Sequence, residues 1–220
     1  MKITFADVQI LTPIDRSAIL KHIELCGRVC YKSEHKITED SAEKFLSNII
    51  ARGHEAVLEH YSITAKFICD RGVSHEIVRH RLASYCQESI RYCNYGKDGF
   101  GREITVIAPC FLKIGSFKWE SWKFGCKIAE IAYLDLLKQG CTPQEARAVL
   151  PNSLKTELIM TANIREWRHF LKLRCAKTAH PQMQEVACML LDKFQKELPE
   201  LFDDLKADNR DTAGMRCGRL

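Results

Sequence analysis

Apolar and polar positions along this chain change rhythm several times, and each change marks a predicted element. The stretch from Lys2 to Leu11 reads as a strand. Ile19, Leu20, Ile23, Cys26 and Cys30 recur at helical spacing and predict a helix over 16–30. Asp40 with Glu43 resembles a capping box, and the helix it opens runs to Gly53. Ile63, Ala65 and Phe67 alternate with Ser62, Thr64 and Lys66, which predicts a half-buried strand over 61–69. Ser74 is placed to cap a short helix through about Ala83. A loop over 92–101 and a short strand over 103–107 follow.

A long helix is predicted from Trp119 to about Gln139, ended by Gly140. Thr142-Pro-Gln-Glu145 opens another, stopped by Pro151. A strand over 155–162 leads to Asn163, which with Glu166 forms a second cap-and-Glu start for a helix through about Cys175. Pro181 begins the last long helix and Pro199 ends it. The tail over 206–220 is polar and expected to be loose. Without repeats, low-complexity linkers or a break in composition, the expectation is a single α+β domain over 1–220.

Composition narrows the classes of function. With 46% hydrophobic and 28% charged residues the chain is an ordinary globular sequence. No apolar run is long enough to span a bilayer, and the N-terminal stretch does not read as a secretory signal, so a cytoplasmic protein with no membrane partner is expected. Eleven cysteines without a CxxC pair argue against a secreted disulfide framework. Cys26 and Cys30 lack the second pair that a zinc finger needs, so no metal site is expected. A net charge of +5 is too weak to imply nucleic acid. The arginines are clustered, however: Arg71, Arg79, Arg81 and Arg91 in one stretch, Arg165, Arg168 and Arg174 in another. Guanidinium groups at that density suit planar, phosphate-bearing ligands.

The segment from Arg79 to Tyr92 holds most of the candidate chemistry. On a helix, Arg79 and Arg81 would point about 200° apart, so either one is a surface charge or the segment lies between two ligands or two subunits. A solvated basic helix end is the plain alternative. His75 and His80 are five apart, where a zinc-protease helix needs four. Glycines 96, 99 and 101 fit neither a dinucleotide nor a P-loop pattern. Ser89 lacks a recognisable acid–histidine pair to activate it, and Cys110 reads as packed at a strand end. A second class of function, an RNA- or single-strand-binding module, would use Arg81, Tyr85, Arg91, Tyr92 and Tyr95 as a stacking platform.

Arg79-His80-Arg81, seven residues and then Ser89 resembles the R-H-R-x7-S signature of flavin-dependent thymidylate synthases. His54-Glu55 with Glu59-His60 upstream, and Arg147, Asn163-Ile-Arg165 and His169 to Arg174 downstream, resemble further blocks of that family in order and spacing. The chain departs from the pattern at Cys86, where Asn is frequent, and at Gln87, where Glu is frequent. The resemblance implies an α+β fold with a central, mostly antiparallel sheet packed with long helices, forming a homotetramer with shared active sites. It implies FAD as cofactor, NADPH and 5,10-methylenetetrahydrofolate as co-substrates, and dUMP as substrate, with no stable nucleic-acid partner. Carried across, Arg79, His80, Arg81, Gln87, Asn163, Arg165 and His169 are cofactor residues. Glu76, Arg79, Gln87, Ser89, Arg91, Arg147 and Arg174 are substrate residues, and Arg174 is catalytic.

The residues themselves agree with these implied roles. Ser89, Arg91 and Arg147 supply the donors that a phosphate dianion needs, and Arg147 follows the Thr142 cap closely. Arg174 lies in helical register with Trp167, Phe170 and Leu171. A charge in an apolar stripe is costly unless it is paired or functional. Beside a uracil ring, a fixed guanidinium would favour the ionised imide and so make carbon 5 a better nucleophile.

Overall fold

Two nine-residue strands form the centre of the molecule because their sequences alternate without a break. In the computed structural model, whose described residues are 1–207, Ser62–Asp70 (β3) and Lys155–Asn163 (β6) pair antiparallel from Ser62 opposite Asn163 to Asp70 opposite Lys155. Ile63, Ala65 and Phe67 of β3 and Leu158, Met160 and Ala162 of β6 are buried on alternate positions. Asp7–Ile10 (β2) pairs with β3, and Ala83–Gln87 (β4) with β6, giving an antiparallel sheet in the order β2-β3-β6-β4. The expected tail over 206–220 lies almost wholly outside the described residues.

The N-terminal stretch is two strands, not the one expected. Lys2–Thr4 (β1) pairs parallel with Thr105–Ile107 (β5) in a separate two-stranded sheet, while β2 joins the main sheet. Phe5 and Ala6 carry the chain across, with Ala6 buried. Local alternation cannot reveal this division, because it is made by partners about a hundred residues away.

The helices are Arg16–Val29 (α1), Ser41–Ala51 (α2), Arg71–Ile77 (α3), Phe117–Lys138 (α4), Pro143–Ala146 (α5), Ile164–Arg174 (α6), Pro181–Glu197 (α7) and Pro199–Phe202 (α8). Several differ from expectation in their caps. Asp40 makes no side-chain cap bond to α2; Glu43 pairs with Arg16 instead, while Ser41 binds the buried Glu24. Gly53 does end that helix, at φ +68°. Asp70, not Ser74, caps α3 by accepting from the Val73 N–H at 2.8 Å. The helix then stops at Ile77, well short of Ala83. Pro199 starts a further turn as well as ending α7.

Helix α6 packs on the sheet and α7 packs on α6. Trp167 and Phe170 of α6 meet Phe67 of β3 and Phe194 of α7 in one aromatic cluster. The indole N–H of Trp167 donates to the Ile63 carbonyl at 2.9 Å, which fixes α6 to β3. A second, smaller core lies under α4 and β5 and holds Tyr95, Val106, Cys126 and Tyr133. Among the described residues no helix is long and apolar enough to cross a membrane.

Candidate active site

The signature segment is a turn followed by a strand. After Ile77 the backbone makes one more turn, and the Tyr85 hydroxyl closes it against the carbonyl oxygens of Ile77 at 3.0 Å and His80 at 2.5 Å. From Ala83 the chain is β4, with Ala83, Tyr85 and Gln87 half-buried and Ser84 and Cys86 exposed. The expected divergence of Arg79 and Arg81 on a helix is therefore replaced by something simpler. In this non-helical stretch both arginines are exposed and His80 between them is buried.

His80 lies along one face of α6. Its Nδ1 is 3.1 Å from Glu166 Oε1, and its Nε2 is 3.0 Å from Arg174 Nε. Phe170 sits between those two partners, one turn from each, and its ring meets the His80 ring edge-on at 4.9 Å. Because Arg174 Nε can only donate, Nε2 accepts, and Nδ1 carries the proton that is donated to Glu166. Burial holds the His80 pKa below its ordinary 6.5; Glu166 opposes this and Arg174 adds to it.

The rest of the Arg174 guanidinium is held by Glu76 at the end of α3. Nη1 donates to Glu76 Oε2 at 3.0 Å and Nη2 to the Glu76 carbonyl at 3.2 Å. Three of five N–H groups are thus occupied, one on each nitrogen, which leaves two for a ligand. The side chain is 20% exposed, so those two are reachable.

Other expected residues fall into two groups. Asn163, Arg165 and His169 line a cleft of about 480 Å³ with Leu82, Glu59 and Glu166. Asn163 is spent partly on structure, since its side chain accepts from the Glu166 N–H at 2.8 Å and caps α6. Arg165 pairs with Glu59. Gln87 turns inward, and its amide nitrogen donates to Ser74 at 2.8 Å. Ser89, Arg91 and Arg147 make no hydrogen bond or ion pair with the Arg174 network. The Ser89 hydroxyl accepts from the Arg91 N–H at 3.3 Å, and the Arg91 guanidinium lies over the Tyr92 ring. Helix α5 is only one turn long and Arg147 is its C-terminal cap, so no helix N-terminus strengthens that site.

Three expectations are corrected here. Arg168 is 1% exposed and is committed to Glu55 and Asp204, so it is a structural cation and not part of a ligand-binding cluster. The stacking platform does not exist, because Tyr85 is tied into the turn and Tyr95 is buried with its hydroxyl on Glu88; of the three tyrosines only Tyr92 is exposed. Glu166, expected only to help start α6, is the partner of His80. The signal that could have found β4 is the alternation of Ala83, Tyr85 and Gln87.

His80, Glu166 and His169 lie close enough to hold a metal ion, with their ligand atoms within 4.8 Å of one another. Both His80 nitrogens are already hydrogen-bonded, one of them to a guanidinium, and that cation opposes a second one. Every described cysteine is a free thiol. Burial, with Glu185 beside it, pushes the Cys110 thiol up to about 12.

An α+β fold in which a buried imidazole holds a partly exposed guanidinium, beside a cleft lined by both cationic and carboxylate side chains, has the character of an enzyme site. The chain belongs to the thymidylate synthase complementing protein family, which it matches over residues 14–200. It is 32% identical to the flavin-dependent thymidylate synthase of Geobacter sulfurreducens over 220 aligned positions, covering 92% of this chain and 93% of that one. It is 34% identical to the Pyrococcus furiosus enzyme of the same name, over 79% of this chain and 71% of the relative. Among solved structures it resembles the UMP/dUMP methylase PolB of Streptomyces cacaoi, bound with 5-Br dUMP, at a TM-score of 0.75 and 22% identity. That likeness covers 92% of this chain and 96% of the other, and it establishes the fold.

Proposed function

We propose that this chain methylates dUMP to dTMP, with 5,10-methylenetetrahydrofolate as carbon donor and FAD, reduced by NADPH, as cofactor. The observation that carries the reading is Arg174. It is held on all three nitrogens by His80 and Glu76, and it retains two N–H groups at the surface of the site. The residues present fit a flavin. Arg79 and Arg81 are exposed, with no ion pair among the described residues, and the next residue, Leu82, lines the cleft. Such arginines suit a pyrophosphate, and the cleft is of a size that admits a ring system.

When bound and reduced, the flavin supplies a hydride. Arg174 stabilises negative charge on the uracil imide, which raises electron density at carbon 5 for attack on the folate methylene. Glu76 orients Arg174, and His80, its ring buried, acts by holding Arg174 Nε. Ser89, Arg91 and Arg147 take the phosphate and Gln87 lies at the junction of nucleotide and flavin. Asn163, Arg165 and His169 form the flavin side of the cleft. No protein nucleophile is needed, in keeping with the high pKa of Cys110.

The same reading places one domain over 1–220 in the cytoplasm, with neither membrane nor stable nucleic acid as partner. It also assembles the chain as a homotetramer. Helix α4 supports that assembly, because Phe117, Phe124, Ile128 and Ile131 are all exposed and share one face, with Phe117 95% exposed. The test is direct. Purified protein with FAD, NADPH, methylenetetrahydrofolate and dUMP is assayed for dTMP, and a flavin-loaded preparation that makes none overturns the proposal.

A further inference from the structure

We propose that Glu166 is a positioning residue for Arg174, acting through His80. This rests on the proposed function only in naming the reaction that Arg174 serves.

The sequence offers Glu166 a different task. Asn163-Ile-Arg-Glu166 has the spacing of a capping box, in which the glutamate reaches back to the N–H of the cap residue. Thr142-Pro-Gln-Glu145 has the same spacing, and there Glu145 does reach back, accepting from the Thr142 N–H at 2.7 Å. In α6 only half of the motif forms. Asn163 accepts from the Glu166 N–H, but Asn163 also ends β6 opposite Ser62, so its backbone belongs to the sheet. The Glu166 side chain, 7% exposed, turns instead to His80 Nδ1.

That diversion fixes a proton. With Glu166 accepting at Nδ1, the imidazole presents a lone pair at Nε2, the only form that can accept from Arg174 Nε. In the opposite tautomer two N–H groups would meet between His80 and Arg174, and the guanidinium would lose the contact that sets its tilt. Glu166, Phe170 and Arg174 are spaced four apart on one face of α6, so the ring that bridges the ends of this stripe also packs on its middle. Glu166 lies too far along the helix to touch Arg174 itself, and the coupling runs through His80.

The groups facing His80 are Glu166, Arg174 and His169 from α6 and the Tyr85 hydroxyl from β4, with Glu76 of α3 beyond Arg174. Of these groups only Glu166 is hydrogen-bonded to Nδ1, so removing it takes away the acceptor that fixes the proton there. A misplacement of about 1 Å in a reacting group is worth on the order of 10²-fold in rate. A loosened rather than deleted Arg174 is expected to fall below that, at roughly 10- to 50-fold in kcat.

Two measurements test the proposal. In the first, nitrogen-15 NMR of the flavin-free wild-type protein reads the His80 tautomer with no turnover involved. The Nδ1–H form supports the relay, and the Nε2–H form overturns it even if the protein makes dTMP. In the second, kcat for dTMP formation per bound flavin is compared for Glu166→Gln, Glu166→Ala, His80→Ala and the Glu166→Ala/His80→Ala double variant. The amide oxygen of Glu166→Gln still accepts at Nδ1, so it should stay within about 3-fold of wild type. Glu166→Ala should fall by the 10- to 50-fold above, and in the His80→Ala background it should add less than about 2-fold. Additive losses, or Glu166→Ala near wild type per bound flavin, overturn the relay. A wild type that makes no dTMP at all overturns the functional reading, and the tautomer still decides the relay.

Discussion

Arg174 and Glu76 meet twice, once through the glutamate side chain and once through its backbone carbonyl. A side-chain pair alone would leave the guanidinium free to swing, whereas the second bond ties its plane to the end of α3. Both partners keep some exposure, at 20% and 32%, so the ion pair itself stabilises the fold by no more than about 1 kcal/mol. Arg174→Ala should therefore remain folded and keep its flavin while losing 10²-fold or more of dTMP formation, the usual scale for one electrostatic stabiliser. Arg174→Lys should recover only part, because an ammonium cannot keep three anchors and still point at a ligand. Melting temperature, flavin content and turnover on the same preparations check this, and near-normal turnover in stable, yellow Arg174→Ala protein would end the role.

Flavin retention should depend on Arg79 and Asn163 in distinguishable ways. Arg79 is exposed, so Arg79→Ala should weaken flavin retention with little change in melting temperature. Asn163→Ala removes the α6 cap as well, at about 1 kcal/mol, whereas Asn163→Asp preserves the cap and isolates any direct contact with the cofactor. Visible spectra before and after desalting report the outcome. Wild-type protein that stays colourless after FAD is added contradicts the assignment.

Substituting serine for Cys110 or for Cys86 should leave dTMP formation measurable. A thiol pushed up to about 12 is almost wholly protonated at neutral pH, and it is the thiolate that attacks. Complete loss in a folded, flavin-loaded Cys110→Ser variant would revive covalent catalysis.

Acid should destabilise the protein through His80. Its folded pKa lies below the ordinary 6.5, so the unfolded chain binds the proton more readily. The resulting stability is complete above about pH 6.5 and is lost as the pH falls toward the folded value. Glu55 and Asp204, held below the usual carboxylate range, lose their contribution only in more acidic solution. Urea midpoints at pH 7.5 and 5.5 should therefore converge in a His80→Gln variant relative to wild type, and an unchanged difference would contradict the burial argument.

Light scattering at assay concentration should give the mass of a tetramer. Charged residues at Phe124 and Ile128 should shift it to smaller species, because both side chains are exposed on the same face of α4. A wild type that is fully active as a monomer refutes the assembly.

What could be read in the sequence was local. Asn163 was legible as a cap, and 155–162 as a strand, because each signal spans a few residues. Arg174 stood out because three apolar neighbours share its register. The division of the N-terminal stretch between two sheets was not legible, since β5 is what draws β1 away. Strand β4 was hidden because the helix expected through about Ala83 reaches its first residue, whereas α3 stops at Ile77. The partner of His80 was hidden for another reason. Glu166 is 86 positions away, and its spacing from Asn163 suggested a capping box that the fold does not complete.

The passage from β6 into α6 at Asn163 has a dynamic consequence. One residue serves as both the last rung of the central ladder and the first brace of the helix that carries Arg165, His169 and Arg174. Without a loop between them, strand and helix must open together. In native-state hydrogen exchange the amides of β3, β6 and α6 should form one slow unit, while those over 88–104, outside the main sheet, should exchange at much lower opening energy. Any movement that admits or releases ligands would then fall to the Ser89 and Arg91 side of the site, leaving the Arg174 side still.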